Sequence, residues 1–495
     1  MWGLLPLSLA AQNLKEFEKH VTEFTLANGM HWIVLERHAA PVVSFHMYVN
    51  AGSVDDPTGK TGIAHMFEHM IGKGTTEVGT KNWALEKPAL AAVEAAYEKL
   101  EAERRKGPRA DKQATAQLEK ALKAAIEKAN SYVDPSAFVR VIEAQGSNGF
   151  NAGTATDMTM YFYSLPSNRV ELWFLLQSTW LRAPVYREFY KERDVVRNER
   201  RMRLESSPQG KLLEALLSTA FAAHNYGRSP VGWASDIENL RVGDAAAFHK
   251  SYYVPGNVTV GIAGDVNPAG IKRLAEKYYG PAPAGEMPRP VITIEPAQEG
   301  EKRALVESPA QPFLTIAYKR PDMKHPDDPA LDVLDAILSS GRTGILYKEL
   351  VRDKKIALAA QSVAGFPGSK YPCLFIFFSV PAANHTVEEN EKAWYAIAER
   401  MKNELADQQT MDRVKTKVRA SLIRQLDSNS GLAGQLASYY ANYGDWRKLF
   451  TQLDDINKVT AGDVRRVARE YLKDTAKTVV WTYQPKQAEK KKEAE

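Results

Sequence analysis

The chain has 495 residues, and 65 lysines and arginines against 60 aspartates and glutamates leave a net charge of only +5. That length exceeds what one hydrophobic core usually supports, so two or more domains are expected, and so small a charge with no basic block argues against nucleic acid as a partner. Cys373 is the only cysteine, which excludes an intramolecular disulfide and a multi-cysteine zinc site.

Residues 1–20 form an N-terminal segment. Its start, Met1-Trp2-Gly3-Leu4-Leu5-Pro6-Leu7-Ser8-Leu9-Ala10-Ala11-Gln12, is short, apolar and ends in small residues. It reads either as the latter part of a secretory signal without its basic beginning or as a loose terminus. The first reading places the chain in a periplasm or outside the cell, the second in the cytoplasm. No stretch is long and apolar enough to span a bilayer. Residues 21–50 read as strands. Phe24-Thr25-Leu26 enters the turn Asn28-Gly29 and leaves through His31-Trp32-Ile33-Val34-Leu35, a hairpin signal, and residues 42–49 give a further strand.

Gly59 and Gly62 then turn the chain into Gly62-Ile63-Ala64-His65-Met66-Phe67-Glu68-His69-Met70. As a helix, this stretch puts His65 and His69 one turn apart on one face, with Glu68 beside them. The order H-x-x-E-H reverses H-E-x-x-H, and either order sets two ligands and a carboxylate around one ion. Zinc suits nitrogen and carboxylate ligands with one position left open. A helix with two solvated histidines carries the same letters, so a third ligand elsewhere is what separates the two readings.

Residues 84–130 are rich in Ala, Glu, Lys and Leu and are broken once, at Gly107-Pro108. They read as a helical hairpin with arms at 88–105 and 112–130, Pro88 taking the first turn of its arm. The hairpin carries no chemistry and reads as a solvated excursion or a partner-binding arm. A helix over 138–145 follows, then the glycine-rich Gly146-Ser147-Asn148-Gly149-Phe150-Asn151-Ala152-Gly153-Thr154 and the strand Thr159-Met160-Tyr161-Phe162-Tyr163. The pair reads as plain core strand or as an exposed sheet edge beside the metal, open to a peptide as an added strand. Residues 186–205 form a charged helix. Glu192 and Glu199 lie two turns apart on one face, with Val195 and Val196 close by, and a carboxylate turned inward there needs a cation.

Asp236-Ile237, Gly243-Asp244, Tyr252 and Thr259-Val260 recur as Asp455-Ile456, Gly462-Asp463, Tyr471 and Thr478-Val479, at a constant offset of 219 (455 − 236 and 471 − 252). Constant spacing predicts two similar halves. They are joined by a proline-rich linker at 281–300 and followed by a charged, disordered tail at 485–495. The second half, 301–484, has a strand near 313–318 and a helix near 328–338 but no second H-x-x-E-H. Cys373, in the apolar run Cys373-Leu374-Phe375-Ile376-Phe377-Phe378, reads as a core residue rather than a nucleophile.

His65-Met66-Phe67-Glu68-His69 followed by Gly72-Lys73-Gly74-Thr75 resembles the pitrilysin/insulinase family of zinc metallopeptidases, in the branch of mitochondrial processing peptidase and its bacterial relatives. Asn151-Ala152 with Thr154 and Tyr161 resembles the family's substrate-binding strand, and Glu192-Arg193-Asp194-Val195-Val196-Arg197-Asn198-Glu199 its second metal-binding element. Tyr253-Val254-Pro255 and Gly264-Asp265-Val266 resemble the end of its first domain. The resemblance implies an α+β fold of two similar halves, each an antiparallel sheet packed with helices. The first, residues 21–280, would hold zinc and carry the helical-hairpin insertion. It also implies His65, His69 and Glu199 as zinc ligands, Glu68 as general base, Glu192 as a carboxylate that orients a ligand, and Asn151 and Ala152 as contacts to a peptide substrate. The implied activity is endopeptidase cleavage of peptides or unfolded segments. The alternatives are a non-catalytic or partner-dependent subunit and a peptide-binding protein.

One departure stands out. The family's second half usually offers an arginine and a tyrosine, seven residues apart, to the substrate. The similar stretch around Tyr347-Lys348-Glu349-Leu350 puts Val351 and Leu358 at those positions in one register and Arg352 and Ala359 in the other. Neither supplies the tyrosine hydroxyl. The expectation is a heterodimer with a zinc-free homologue that does.

Overall fold

A computed structural model describes residues 14–485; the apolar start at 1–12 and nearly all of the charged tail lie outside the described residues. Asn28-Gly29 turns the chain between β1 (Val21–Thr25) and β2 (His31–Glu36), which pair antiparallel with Val21 opposite Leu35. Gly29 sits at φ 92°, where a side chain would be strained. With β3 (Val42–Val49), β4 (Asn148–Thr154), β5 (Thr159–Pro166) and β6 (Val258–Gly264) they build a sheet in the order β1-β2-β6-β3-β5-β4. The second sheet contains β7 (Lys302–Glu307), β8 (Leu314–Arg320), β9 (Ala357–Phe366), β10 (Cys373–Pro381) and β11 (Lys477–Tyr483), in the order β7-β11-β8-β10-β9. From β2 onward the two orders are the same. Each sheet is antiparallel except for one parallel pair, β2 with β6 and β7 with β11. The fold is thus α+β in two similar halves.

The helices that matter for the site are, in chain order, α1 (Ile63–Ile71), α2 (Trp83–Arg104), α3 (Lys112–Asn130), α4 (Phe189–Arg200), α5 (Pro208–Ala220), α6 (Val242–Tyr252), α7 (Asp328–Ser339), α8 (Asn429–Tyr443) and α9 (Ala461–Tyr471). The 219-residue repeat is structural: α6 and α9, like β6 and β11, begin at that offset (461 − 242 and 477 − 258). Even the caps match, Asp244 accepting the Arg241 N–H and Asp463 the Thr460 N–H.

Two expectations need correction. The first arm of the hairpin begins at Trp83 rather than Pro88, because Asn82 caps it by accepting the Leu85 N–H at 3.2 Å; Pro88 sits in the second turn, where it removes one N–H without ending the helix. Of the two valines on α4, Val196 is buried, whereas Val195 is 39% exposed.

The halves exchange helices. From the first half, α5 sends Leu212, Leu216 and Leu217 into a cluster with Ala317, Cys373, Leu374 and Val480 of the second, where the lone cysteine is a core residue. From the second half, α8 lays Leu432, Ala433 and Leu436 on Ile33, Leu35 and Ala263 of the first. Gly261 permits this approach, since a Cβ there would stand 2.0 Å from the Ala433 carbonyl oxygen. Among the described residues no helix is long and apolar enough to cross a membrane.

Candidate metal centre

Helix α1 is held by its apolar side and by its entrance. Ile63, Ala64, Met66, Phe67, Met70 and Ile71 are buried. Gly62 turns in at φ 88°, where a Cβ would stand 2.4 Å from the Val231 carbonyl oxygen. The Asp56 carboxylate accepts the N–H groups of Gly62 and Ala64 at 2.7 and 3.1 Å, donors that the helix itself cannot satisfy.

His65 and His69 leave this helix one turn apart, their ring centroids 4.9 Å from each other. Helix α4 crosses beside them and brings in Glu199. Its Oε2 lies 3.5 Å from His65 Nε2 and its Oε1 3.7 Å from His69 Nε2. One ligand atom from each of the three residues lies within 4.8 Å of the others. Those nitrogen–oxygen separations are too long for good hydrogen bonds. They are close to the ~3.4 Å expected of two atoms each bound to one tetrahedral zinc at about 2.1 Å. Glu199 Oε2 is buried without a hydrogen-bond partner, as a ligand atom awaiting a cation would be, although the exposed Arg203 guanidinium approaches it to 3.5 Å. The three residues fit a zinc ion.

Burial, with the nearby charges of His69 and Arg203, pushes the His65 imidazole down to about 3, so it offers a neutral nitrogen. Burial also opposes charge on His69, but its hydrogen bond to Glu192 and the carboxylates of Glu199 and Glu68 outweigh this and hold it above its ordinary value. Glu192 Oε2 meets His69 Nδ1 at 3.3 Å, which turns Nε2 toward Glu199. Glu68 lies beside the three, and burial raises its carboxyl above the usual range against hydrogen bonds from the Thr154 hydroxyl and N–H. Thr154 ends β4, the outermost strand of the sheet. Asn151 and Ala152 lie on that strand, and the Ala152 N–H points away from β5 to the Asn151 side chain at 2.9 Å.

Sequence reasoning gave no role to two residues that the structure brings in. The Lys73 ammonium bonds Glu192, and Glu188 at 3.2 Å. Arg187, 1% exposed in its side chain, underpins the loop that carries Lys73. The spacing His69 to Lys73, one further turn, was the available signal for the first; the contacts of the second depend wholly on tertiary structure.

Residues 32–98 and 122–232 match the family model described as Insulinase (Peptidase family M16), and residues 239–418 match Peptidase M16 inactive domain. The chain belongs to peptidase family M16. The family match breaks at 99–121, the far ends of α2 and α3, so the hairpin is where this member departs from the common pattern. The zinc protease PqqE of Helicobacter pylori is 28% identical over 465 residues, 92% of this chain and 91% of its own. A probable mitochondrial-processing peptidase subunit beta of Arabidopsis thaliana is 21% identical over 486 residues, 94% of this chain and 79% of its own. The crystal structure of a protease from Helicobacter pylori, at 26% identity, covers 94% of this chain and 99% of its own with a TM-score of 0.77.

Proposed function

We propose that the chain is a zinc-dependent endopeptidase acting on peptides or unfolded protein segments. The observation that carries this is the convergence of His65, His69 and Glu199 on one point, with Glu68 beside them at the end of an open-edged strand. When bound there, zinc supplies Lewis acidity toward carbonyl and water oxygens. The rest falls to the chain. Glu68, steadied by Thr154, takes a proton from the attacking water and hands it to the leaving amine. The peptide lies along β4 as an added strand and replaces the Asn151 side chain as acceptor of the Ala152 N–H. Glu192 keeps His69 in the tautomer that presents Nε2.

The test is hydrolysis of a mixed unfolded-peptide pool by the purified chain, with zinc quantified in the same sample. About one zinc per chain and cleavage abolished in Glu68→Gln support the reading; no bound zinc overturns it. A second reading, a subunit that needs a partner, is favoured by the surface at 351–359. Arg352 there is exposed and paired with its neighbour Asp353 at 2.6 Å, Leu358 is 60% exposed, and no tyrosine occupies either register. Zinc without cleavage until a homologous subunit is added would favour it. Peptide affinity unchanged on metal removal, with no turnover under either condition, would instead mark a peptide-binding protein. Export from the cytoplasm belongs to the same proposal and rests on residues 1–12 alone; cell fractionation tests it.

A further inference from the structure

Two turns of chain beyond the metal ligands, the loop after α1 is wrapped around a buried guanidinium. Arg187 Nη1 donates to the carbonyl oxygens of Lys73 at 2.6 Å and Val78 at 3.4 Å, and Nη2 to that of Thr75 at 3.0 Å. Nε and Nη2 grip the Glu86 carboxylate at 2.6 and 3.2 Å. These five bonds use all five donors of the side chain. The loop can fold this closely only because Gly74 and Gly79 take φ of 92° and 90°; a Cβ on Gly79 would stand 2.9 Å from Arg187 Nη1 and one on Gly74 2.3 Å from the Val78 carbonyl oxygen. Glu86, itself 0% exposed in its side chain, belongs to the first turn of α2. The hairpin that interrupts the family pattern is therefore welded at its root to the exit of the metal helix.

The loop presents Lys73. Its ammonium spans Glu188 and Glu192, one turn apart at the start of α4. Glu192 has two oxygens, and each has one partner: Lys73 on Oε1 and His69 Nδ1 on Oε2. A glutamate side chain has three rotatable bonds and is costly to order. Without Lys73, nothing else among the described contacts of Glu192 fixes its rotation relative to His69.

We propose that Lys73, set in place by the Arg187–Glu86 pair, is a positioning residue of the metal centre: it pins Glu192 against His69 Nδ1 and so aims His69 Nε2 at the point shared with His65 and Glu199. The inference rests on the zinc reading above. It assigns the root of the hairpin a part in metal binding and leaves the far ends, 99–121, without one.

The experiment is zinc affinity of the purified full chain by competition with a chromophoric chelator, alongside thermal unfolding of the metal-free protein. Lys73→Met is expected to weaken zinc binding about tenfold or more, within the range for outer partners of a ligand histidine, while the metal-free unfolding midpoint stays at the wild-type value. Lys73→Arg, which keeps the cation, is expected to recover most of the loss. Glu86→Gln, which loosens Arg187, is expected to weaken zinc in the same direction; should that buried variant fail to fold, Lys73→Met still decides. Zinc affinity in Lys73→Met equal to that of a zinc-binding wild type overturns the inference and leaves the metal centre standing. A wild type that binds no zinc overturns the metal centre and the inference together.

Discussion

Single residues divide the site into holding and reacting groups, and substitutions separate the two. His65 is buried, neutral and aimed at Glu199, so His65→Ala is expected to abolish metal binding, as elemental analysis of the purified variant shows directly. Glu68 accepts hydrogen bonds from Thr154 beside His69 and Glu199. Glu68→Gln keeps its shape and is expected to retain full zinc content while kcat falls ~10²–10⁴-fold, the span attributed to a general base; turnover near wild type would remove Glu68 from that role. Ala152 tests the strand. Its N–H bonds only the neighbouring Asn151 side chain, and proline is tolerated on an edge strand where the lost donor faces outward. Ala152→Pro is expected to raise KM about fivefold, the worth of one hydrogen bond of ~1 kcal/mol, with kcat and zinc content unchanged; an unchanged KM would mean that peptide does not add at this edge. The candidate histidine pair was legible in the sequence because His65 and His69 sit at helical spacing, and Glu199 entered through the resemblance of residues 192–199 to the family's second metal-binding element. Lys73 and Arg187 were not, because their partners are Glu188, Glu192, Glu86 and three loop carbonyls, which only folding assembles.

Elements carry the pseudo-symmetry and its divergence. Helix α7 follows β8 as α1 follows β3. Where α1 has histidines four apart, α7 has Asp328 and Asp332 at the same spacing, then Asp335. Burial, reinforced by Asp328, pushes Asp332 up to about 7, and burial pushes Asp335 up to about 6 against its hydrogen bond to Ser362. Both hold protons more tightly folded than unfolded. Their contribution to stability is therefore complete below the unfolded carboxylate range, near pH 4, and is lost as pH rises through about 6 to 7. Asp332→Asn removes that loss. At pH 8 it is expected to raise the unfolding midpoint by about 2 °C or more, and the difference should close by pH 4; equal midpoints at both pH values would show that Asp332 ionises freely. The first hairpin, several strands and the repeat were readable from the Asn28-Gly29 turn, the apolar runs and the constant offset, whereas the strand order with its crossovers came only with the structure. The start of α2 was misplaced because the proline outweighed the asparagine cap six positions before it, and Val195, placed with Val196 near the inward face, is turned outward by α4.

At the scale of the whole molecule the question is whether the two halves can supply each other's missing parts. They are packed against each other through the exchanged helices. Helix α8 lies on the first sheet and α5 on the second, an arrangement invisible in the sequence because neither helix carries any mark of which sheet it will cover. The turn between β4 and β5 is stitched across as well: the Asp157 carboxylate accepts the N–H groups of Ser369 and Lys370, at 2.7 and 3.0 Å, from the turn between β9 and β10, and the Tyr226 hydroxyl at 2.6 Å. A hydroxyl absent from 351–359 thus has no route to the metal centre by closure of this chain on itself. If peptide turnover needs that donor, it comes from another chain, and a single lost transition-state donor is worth ~10²–10³ in kcat. The expectation is that the purified chain binds zinc but cleaves an unfolded-peptide pool slowly, and that a zinc-free homologue from the same source, carrying the arginine and tyrosine seven residues apart, raises kcat ~10²-fold and co-elutes with it as a heterodimer. Full activity from this chain alone, unchanged on adding the homologue, would make it self-sufficient and assign the donor's work to groups already beside Glu68, of which the buried Tyr161–Tyr253 hydroxyl pair at 2.6 Å is the nearest by chemistry.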